Sequence, residues 1–364
     1  MTQDFFPIRG YDHVEFYVGN AKQAAHFYDR TFGFRPVAKR GLETGCRDRA
    51  SYVMEQGNIR FVLTSALTPD HEISRHCAVH GDGVKAIGLS VPDVQAGLRE
   101  AKQRGATILR GATFEEDASG TLVTAEIKYA GDTVFRLVER GNYRGHFAPG
   151  FKAIEPRAPS AACGLAAIDH IVTNVYLGEM NLWCKWFEDV FGFRNLISFT
   201  DDDISTEYSA LMSKVMENGT GKVKFPINEP AEGKKKSQIE EYLEYYQGPG
   251  VQHIALNTGN IYETIAELRQ RDIDFLRVPD TYYDYVRERV GDVGEDWDRL
   301  RELGILVDKD DDGYLLQIFT APMQDRPTLF FEVIERHGSR GFGVGNFKAL
   351  FVSIEAEQAL RGNL

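Results

Sequence analysis

The chain has 364 residues, enough for about two domains, and its 43% apolar and 26% charged residues are the composition of packed globular cores, so two cores are expected. Forty-two Lys and Arg against 54 Asp and Glu leave a net charge of -12, the wrong sign for gripping a phosphate backbone or an anionic bilayer, which excludes nucleic acid and membrane as expected partners. Residues 1–7 show no basic segment followed by an apolar one, no apolar run approaches a spanning helix, and Cys46, Cys77, Cys163 and Cys184 contain no Cys-x-x-Cys pair; a reduced, cytoplasmic protein is expected.

In chain order, alternation from Asp12 to Val18 predicts a strand, and the 3.6-residue period from Ala21 to Phe32 predicts a helix that runs into Phe32-Gly-Phe34. His76 and His80 have the i, i+4 spacing of metal ligands but no third partner in the nearby sequence, so the polar side of a surface helix is expected there. Gly83 to Ile87 reads as a strand, Val94 to Gly105 as an amphipathic helix, and Val134 to Arg140 as a further strand. Pro149, Pro156 and Pro159 break both periods, which makes 149–164 a linker between units 1–148 and 165–364.

The series then repeats. Ile168 to Val175 is a strand beginning Ile-Asp-His-Ile, Asn181 to Phe191 a helix leading into Phe191-Gly-Phe193, Gly250 to Ile254 a strand, Ile261 to Arg271 a helix, and Phe330 to Arg336 a strand. The offset is 157 residues between His13 and His170, 159 between Phe32 and Phe191, and 167 between Ala86 and His253. Lys234 to Lys236 reads as a solvated loop. Near the end, Phe347, Leu350, Phe351 and Ile354 at i, i+3, i+4 and i+7 predict a helix with an apolar stripe behind an Asn346 cap. Strand, helix, then several strands, used twice per half, is the expected unit.

The differences between the halves are more informative than the likeness. Where the second half has His170, His253 and Glu332, the first has His13, Ala86 and Arg136: three ligand-type residues against one ligand, a methyl group and a cation that repels a metal. Strict alternation sets His170, His253 and Glu332 among apolar neighbours, where a lone carboxylate is costly and a metal shared with two imidazoles satisfies it. Each histidine taken singly reads first as a hydrogen-bonded core residue, and Glu332 alone is equally an ion-pair partner for Arg326 or Arg336. Taken together, two His and one carboxylate from three strands make a facial triad with three adjacent positions open, the pattern of non-haem Fe(II) oxygen chemistry.

Asp169-His170, Phe225-Pro-Ile-Asn-Glu-Pro230, Lys236-Ser-Gln-Ile239, Gly250-Val-Gln-His253, Thr281-Tyr-Tyr283, Glu302 to Asp308, Leu315-Leu-Gln-Ile-Phe-Thr320, Asp325-Arg-Pro-Thr328, Glu332 and Gly341 to Phe347 resemble the 4-hydroxyphenylpyruvate dioxygenase family across nearly the whole chain. The resemblance implies an α+β fold of the vicinal oxygen chelate type, in which paired βαβββ modules form an open barrel in each half. It also implies one Fe(II) per chain on His170, His253 and Glu332, and oxidation of 4-hydroxyphenylpyruvate by O2 to homogentisate and CO2 in tyrosine breakdown. The first half would then be a structural and oligomerisation domain of a dimer or tetramer.

Carried over position by position, Ser209, Asn228, Gln238, Gln252 and Gln317 become orienting groups for the substrate, and Phe319, Phe330, Phe342 and Phe347 its apolar walls. Alternation puts Gln252 on the strand face opposite His253. The C-terminal helix becomes a lid. Hydroxymandelate synthase shares triad and substrate but, by the same resemblance, is aliphatic at the position of Phe347; a ligand-sequestering protein of this fold would have no need of the three ligand residues together.

Overall fold

Residues 10–17 and 165–174 carry apolar side chains on both faces of a strand, and such a strand is stable only with cover on both sides. Each becomes the central strand of a sheet. The computed structural model describes residues 5–155, 161–200, 210–231, 233 and 235–363. The first sheet contains β1 (Gly10–Tyr17), β2 (Arg35–Arg40), β3 (Arg49–Gln56), β4 (Ile59–Ala66), β5 (Gly83–Ser90), β6 (Ile108–Asp117), β7 (Gly120–Lys128), β8 (Val134–Glu139) and the short β9 (Lys152–Ala153), in the order β6-β7-β8-β5-β1-β4-β3-β2-β9. The second contains β10 (Leu165–Asn174), β11 (Arg194–Phe199), β12 (Ala210–Glu217), β13 (Lys224–Ala231), β14 (Gly250–Thr258), β15 (Leu306–Lys309), β16 (Tyr314–Phe319) and β17 (Phe330–His337), ordered β11-β12-β13-β10-β14-β17-β16-β15.

Apart from β9, the second order is the first read backwards with matching roles: β10 answers to β1, β13 to β4, β14 to β5 and β17 to β8. In both sheets the central pair is antiparallel and each of its strands has a parallel outer neighbour. Helices α1 (Ala21–Arg30), α3 (Val94–Gln103), α4 (Met180–Trp186) and α6 (Ile261–Gln270) complete four βαβββ modules; α2 (Glu72–His80) and α5 (Gln238–Tyr246) join the modules of each half. α7 (Thr281–Val290) and α8 (Trp297–Leu303) are inserted after α6, and α9 (Phe347–Leu360) follows the last strand. The sheets curl into open half-barrels, the fold expected from the repeat.

Each half keeps an apolar cluster of its own, but the largest core is shared. A single apolar cluster runs through both halves, because the outer faces of the central strands are apolar and each half covers the other. Phe331 of β17 sits 5.2 Å from Phe32, 5.9 Å from Phe61 and 6.1 Å from Tyr28 of the first half. Its repeat counterpart Phe135 sits 5.7 Å from Phe187, 5.4 Å from Phe191 and 5.3 Å from Phe225 of the second. This reciprocal insertion is the physical reason for the aromatic repeat, since offset and edge contacts at these separations add to simple burial. The middle residues of Phe32-Gly-Phe34 and Phe191-Gly-Phe193 are left-handed, with φ of 71° and 72°, which favours glycine.

Segment 149–164 is partly docked: Ala153 and Lys152 of β9 pair with Ala38 and Lys39, and the Cys163 N–H donates to Gln56 Oε1 at 2.9 Å. Residues 156–160 lie outside the described ones. The helix expected to reach Phe191 keeps α-geometry only to Trp186 and ends in a wider π turn, Phe187–Phe191. Asn346 does not cap α9; its Oδ1 accepts from the buried Tyr282 hydroxyl at 2.6 Å and from Arg289 at 3.3 Å.

Candidate metal centre and active site

Three strands of the second barrel deliver the candidate ligands: β10 gives His170, β14 His253 and β17 Glu332, all buried. Their ligand atoms lie within 4.8 Å of one another, with Glu332 Oε2 at 3.1 Å from His170 Nε2 and 3.5 Å from His253 Nε2. The register around them is irregular. On β10 the pairing skips Asp169, between Ile168 and His170; on β14 it skips Gln252, between Val251 and His253. Each skipped residue is a bulge, which suspends alternation and brings adjacent side chains toward one another. The expectation that Gln252 faces away from His253 therefore fails, and so does the regular Ile168–His170–Val172 face.

The bulge residues hold the histidines. Asp169 Oδ1 lies 2.8 Å from His170 Nδ1, and Gln252 Oε1 lies 3.0 Å from His253 Nδ1, so both Nε2 atoms are left facing Glu332. Asp169 is itself gripped by Arg336 through both carboxylate oxygens, at 2.7 and 2.8 Å. Burial opposes ionisation of Asp169 and of Glu332, but Arg336 and His170 hold the first well below the ordinary carboxylate range, and the two imidazoles hold the second at about 2. Burial likewise opposes charge on His170, which Glu332 and Asp169 nevertheless raise above its ordinary value, whereas burial prevails at His253 and lowers it. Two imidazole nitrogens and one carboxylate oxygen, each ring tied at its far nitrogen, are a donor set that fits a first-row divalent metal.

The first barrel has the same framework with a different filling. Its bulges fall at Asp12 and Lys85, and Arg140 grips Asp12 as Arg336 grips Asp169. Arg136, the counterpart of Glu332, places its guanidinium 2.6 Å from Glu15 and 2.9 Å from Glu126, with His13 Nε2 at 3.4 Å. An internal cation and its carboxylates occupy the space that three ligands enclose in the second barrel.

Known proteins agree with this geometry. A model of the Glyoxalase/Bleomycin resistance protein/Dioxygenase superfamily matches residues 10–123 and 167–318. The 4-hydroxyphenylpyruvate dioxygenase of Caenorhabditis elegans is 50% identical over 97% of this chain and 93% of its own, that of Danio rerio 50% over 98% and 94%, and that of Yarrowia lipolytica 46% over 100% and 96%. This chain belongs to the 4-hydroxyphenylpyruvate dioxygenase family. Among solved structures, a triple mutant of 4-hydroxymandelate synthase from Streptomyces coelicolor matches with a TM-score of 0.87 at 30% identity, covering 97% of this chain and 99% of that one. A xylose isomerase-like TIM barrel/4-hydroxyphenylpyruvate dioxygenase fusion protein shares the fold, with a TM-score of 0.75 at 22% identity over 96% of this chain and 53% of that one.

Above the three ligands opens a cavity. Of the residues expected there, Asn228, Gln238, Gln252, Phe319, Phe330, Phe342 and Phe347 line it. Phe330 stacks on His253 at 4.8 Å and Phe342 packs edge-on to His170 at 5.0 Å, so these walls adjoin the ligands. Gln317 does not line the cavity: it is fully buried behind Gly343, with neither side-chain polar atom hydrogen-bonded. Ser209 lies outside the described residues. Ser213, Leu211 and Val215 were missed and do line the cavity, all on one face of β12, a face that period-2 alternation alone could have indicated. Phe347, Leu350 and Phe351 of α9 close one side, and α9 is held by Ser353 Oγ donating to the Arg277 carbonyl at 2.7 Å and by Arg361 on Glu241 at 2.9 Å.

The sequence also misplaced two further groups. His76 and His80 are buried, not on a polar surface, because α2 packs against α5 of the other half. Arg326 donates to the carbonyls of Val79 and Tyr245 instead of pairing with Glu332. Lys235 and Lys236 are exposed, as expected of a solvated loop, while Lys234 lies outside the described residues.

Proposed function

We propose that the chain oxidises 4-hydroxyphenylpyruvate with O2 to homogentisate and CO2, using one Fe(II) held by His170, His253 and Glu332. The observation that carries this reading is the convergence of two imidazoles and one carboxylate at the floor of an aromatic-walled cavity, in a barrel whose duplicate fills the same place with Arg136. Fe(II) would supply a chelation point for the 2-oxo acid and the redox capacity that links its decarboxylation to ring hydroxylation by O2.

The protein's share is binding, orientation and exclusion of water. Glu332 offsets only part of a divalent charge, so the site remains cationic and attracts the carboxylate of an oxo acid. Asp169 and Gln252 fix the ring orientations of His170 and His253. Asn228 and Gln238 bring neutral hydrogen-bonding groups that can take the phenol at a smaller desolvation cost than charges would incur. Phe330, Phe342 and Phe347 offer flat walls for the ring, and α9 keeps water from the reacting atoms.

The first half acts as scaffold and assembly domain of a homo-oligomer, a reading supported by its ion-paired site and by edge strand β6, which leaves Leu109 and Phe114 more than half exposed. Four unpaired cysteines support a reduced compartment, and no helix among the described residues is long and apolar enough to cross a membrane. The test is to load the protein anaerobically with Fe(II), count bound iron, and add 4-hydroxyphenylpyruvate with O2. One iron per chain and homogentisate, both lost in Glu332→Ala but retained in Arg136→Gln, are expected; 4-hydroxymandelate as the main product, or iron retained by Glu332→Ala, would overturn the reading.

A further inference from the structure

A second cluster of ligand-type side chains lies away from this cavity, where the two halves meet. Residues His76 and His80 stand one turn apart on α2, and Asp132 reaches them from the loop between β7 and β8. One ligand atom from each of the three lies within 4.8 Å of the others, and among the described residues only this group and the triad of the second barrel meet that condition. The histidines are buried, at 6% and 4% exposure, while the Asp132 side chain is 65% exposed, so the cluster opens to solvent through its carboxylate.

Its hydrogen bonds are incomplete in a specific way. His80 Nδ1 lies 2.6 Å from the carbonyl of Tyr246, at the end of α5 in the other half, and must donate to it. That leaves Nε2 facing Asp132 Oδ2 at 3.0 Å, where a proton has to be shared between them. The proton satisfies His80 and Asp132 but does nothing for His76, whose Nε2 is buried without any hydrogen-bond partner although its ring centroid is 4.5 Å from that of His80. A buried imidazole nitrogen without a partner loses its hydration with nothing in exchange, which favours any ligand that can restore one. The neighbouring cation, Lys85, is engaged elsewhere: its ammonium donates to the Asp132 carbonyl at 2.6 Å.

We infer that His76, His80 and Asp132 form a second metal site, for a first-row divalent cation of the Zn(II) class, which ties α2 to the β7–β8 loop at the boundary where His80 meets α5 of the other half. One ion takes the place of the shared proton, which leaves to solvent, and at the same time gives the orphaned nitrogen of His76 a partner. Two imidazoles and a carboxylate suit Zn(II) better than Mg(II) or Ca(II), which favour all-oxygen sites, and the exposed side of Asp132 leaves room for water ligands. The Tyr246 carbonyl plays the part that a hydrogen-bond acceptor plays behind a metal-bound histidine: it fixes the tautomer and directs Nε2 outward. Occupancy would thereby fix His80 in its hydrogen bond to the Tyr246 carbonyl and in its stacking on the Tyr246 ring at 4.5 Å, two of the contacts by which α2 meets the other half.

Zinc ion alone, titrated into the chelator-stripped full-length chain, tests this by the number of equivalents retained after desalting and by the shift in Tm. Wild type should retain two equivalents, Asp132→Asn and His76→Gln one each, and Glu332→Ala should keep the equivalent that Asp132→Asn loses, with a zinc-dependent rise in Tm that Asp132→Asn lacks. Asp132→Asn alters an exposed side chain and leaves the packing of α2 in place, so its result does not depend on the folding of the His76 variant. A single equivalent in wild type that Asp132→Asn leaves untouched, or two equivalents in Asp132→Asn, would overturn the site. A single equivalent that Asp132→Asn loses and Glu332→Ala keeps would support it while removing the triad as a zinc-competent centre.

Discussion

Replacing Asp169 and Asp12 by Asn, one at a time, separates what belongs to the scaffold from what belongs to the metal. Both carboxylates are buried, both accept two hydrogen bonds from an arginine, Arg336 at 2.7 and 2.8 Å and Arg140 at 2.6 and 2.7 Å, and both touch the Nδ1 of the following histidine. Removing one partner of a buried ion pair costs roughly 3–5 kcal/mol. The arginines keep carbonyl acceptors at Gly341 and Phe147, and Asn keeps one acceptor oxygen, so about 2–3 kcal/mol is expected for either variant, read as a shift in urea midpoint. Only Asp169 stands behind a histidine of the complete triad, so only Asp169→Asn should weaken Fe(II) binding, by about 10- to 100-fold. The pair also sets a pH signature: burial opposes the charge on Asp12, but His13 and Arg140 hold its carboxyl well below the ordinary range. Its contribution is therefore complete above the unfolded carboxylate pKa of about 4 and is lost as pH falls below it, and Asp12→Asn should flatten that acid limb. Equal loss of iron affinity in the two variants, or none in Asp169→Asn, would refute the proposed division of labour.

Phe347→Ile trims an aromatic wall of the cavity, and because about 1.4 kcal/mol between competing barriers is a tenfold product ratio, a measurable share of 4-hydroxymandelate is expected by chromatography; unchanged homogentisate would remove Phe347 from the control of regiochemistry. Gln252→Leu deprives His253 Nδ1 of its acceptor and should weaken Fe(II) binding roughly tenfold or more in a titration, whereas unaltered affinity would reduce Gln252 to a wall residue. Truncation before Gly341 removes α9 and should leave iron bound but lower the yield of homogentisate per O2 consumed, as followed with an oxygen electrode; full yield would show that α9 is not needed to exclude water.

The fold was legible in the sequence because duplication exposes it: Phe32-Gly-Phe34 and Phe191-Gly-Phe193 mark the same turn twice, and a strand face that is apolar twice is a core face twice. The asymmetry of His13, Ala86 and Arg136 against His170, His253 and Glu332 made the three ligands stand out as a group. Bulges were not legible. Asp169 and Gln252 look like ordinary strand residues, since the skipped pairing that turns them toward their neighbouring histidines is set by register with another strand and leaves no local mark. The burial of His76 and His80 and the diversion of Asn346 to Tyr282 depend on α5 and α7, segments distant in sequence. The core shared between the halves escaped for the same reason: length suggests how many units a chain has, but not that Phe331 and Phe135 are exchanged between them.

The most direct test of the proposed chemistry uses isotopically heavy O2 with the Fe(II)-loaded chain and 4-hydroxyphenylpyruvate, followed by mass spectrometry of the product. If one site joins decarboxylation to ring hydroxylation, homogentisate should carry one heavy oxygen in its carboxylate and one in its new hydroxyl, and Glu332→Ala should give neither. Homogentisate whose new hydroxyl comes from water, or labelled 4-hydroxymandelate in its place, would contradict the proposed reaction at this centre.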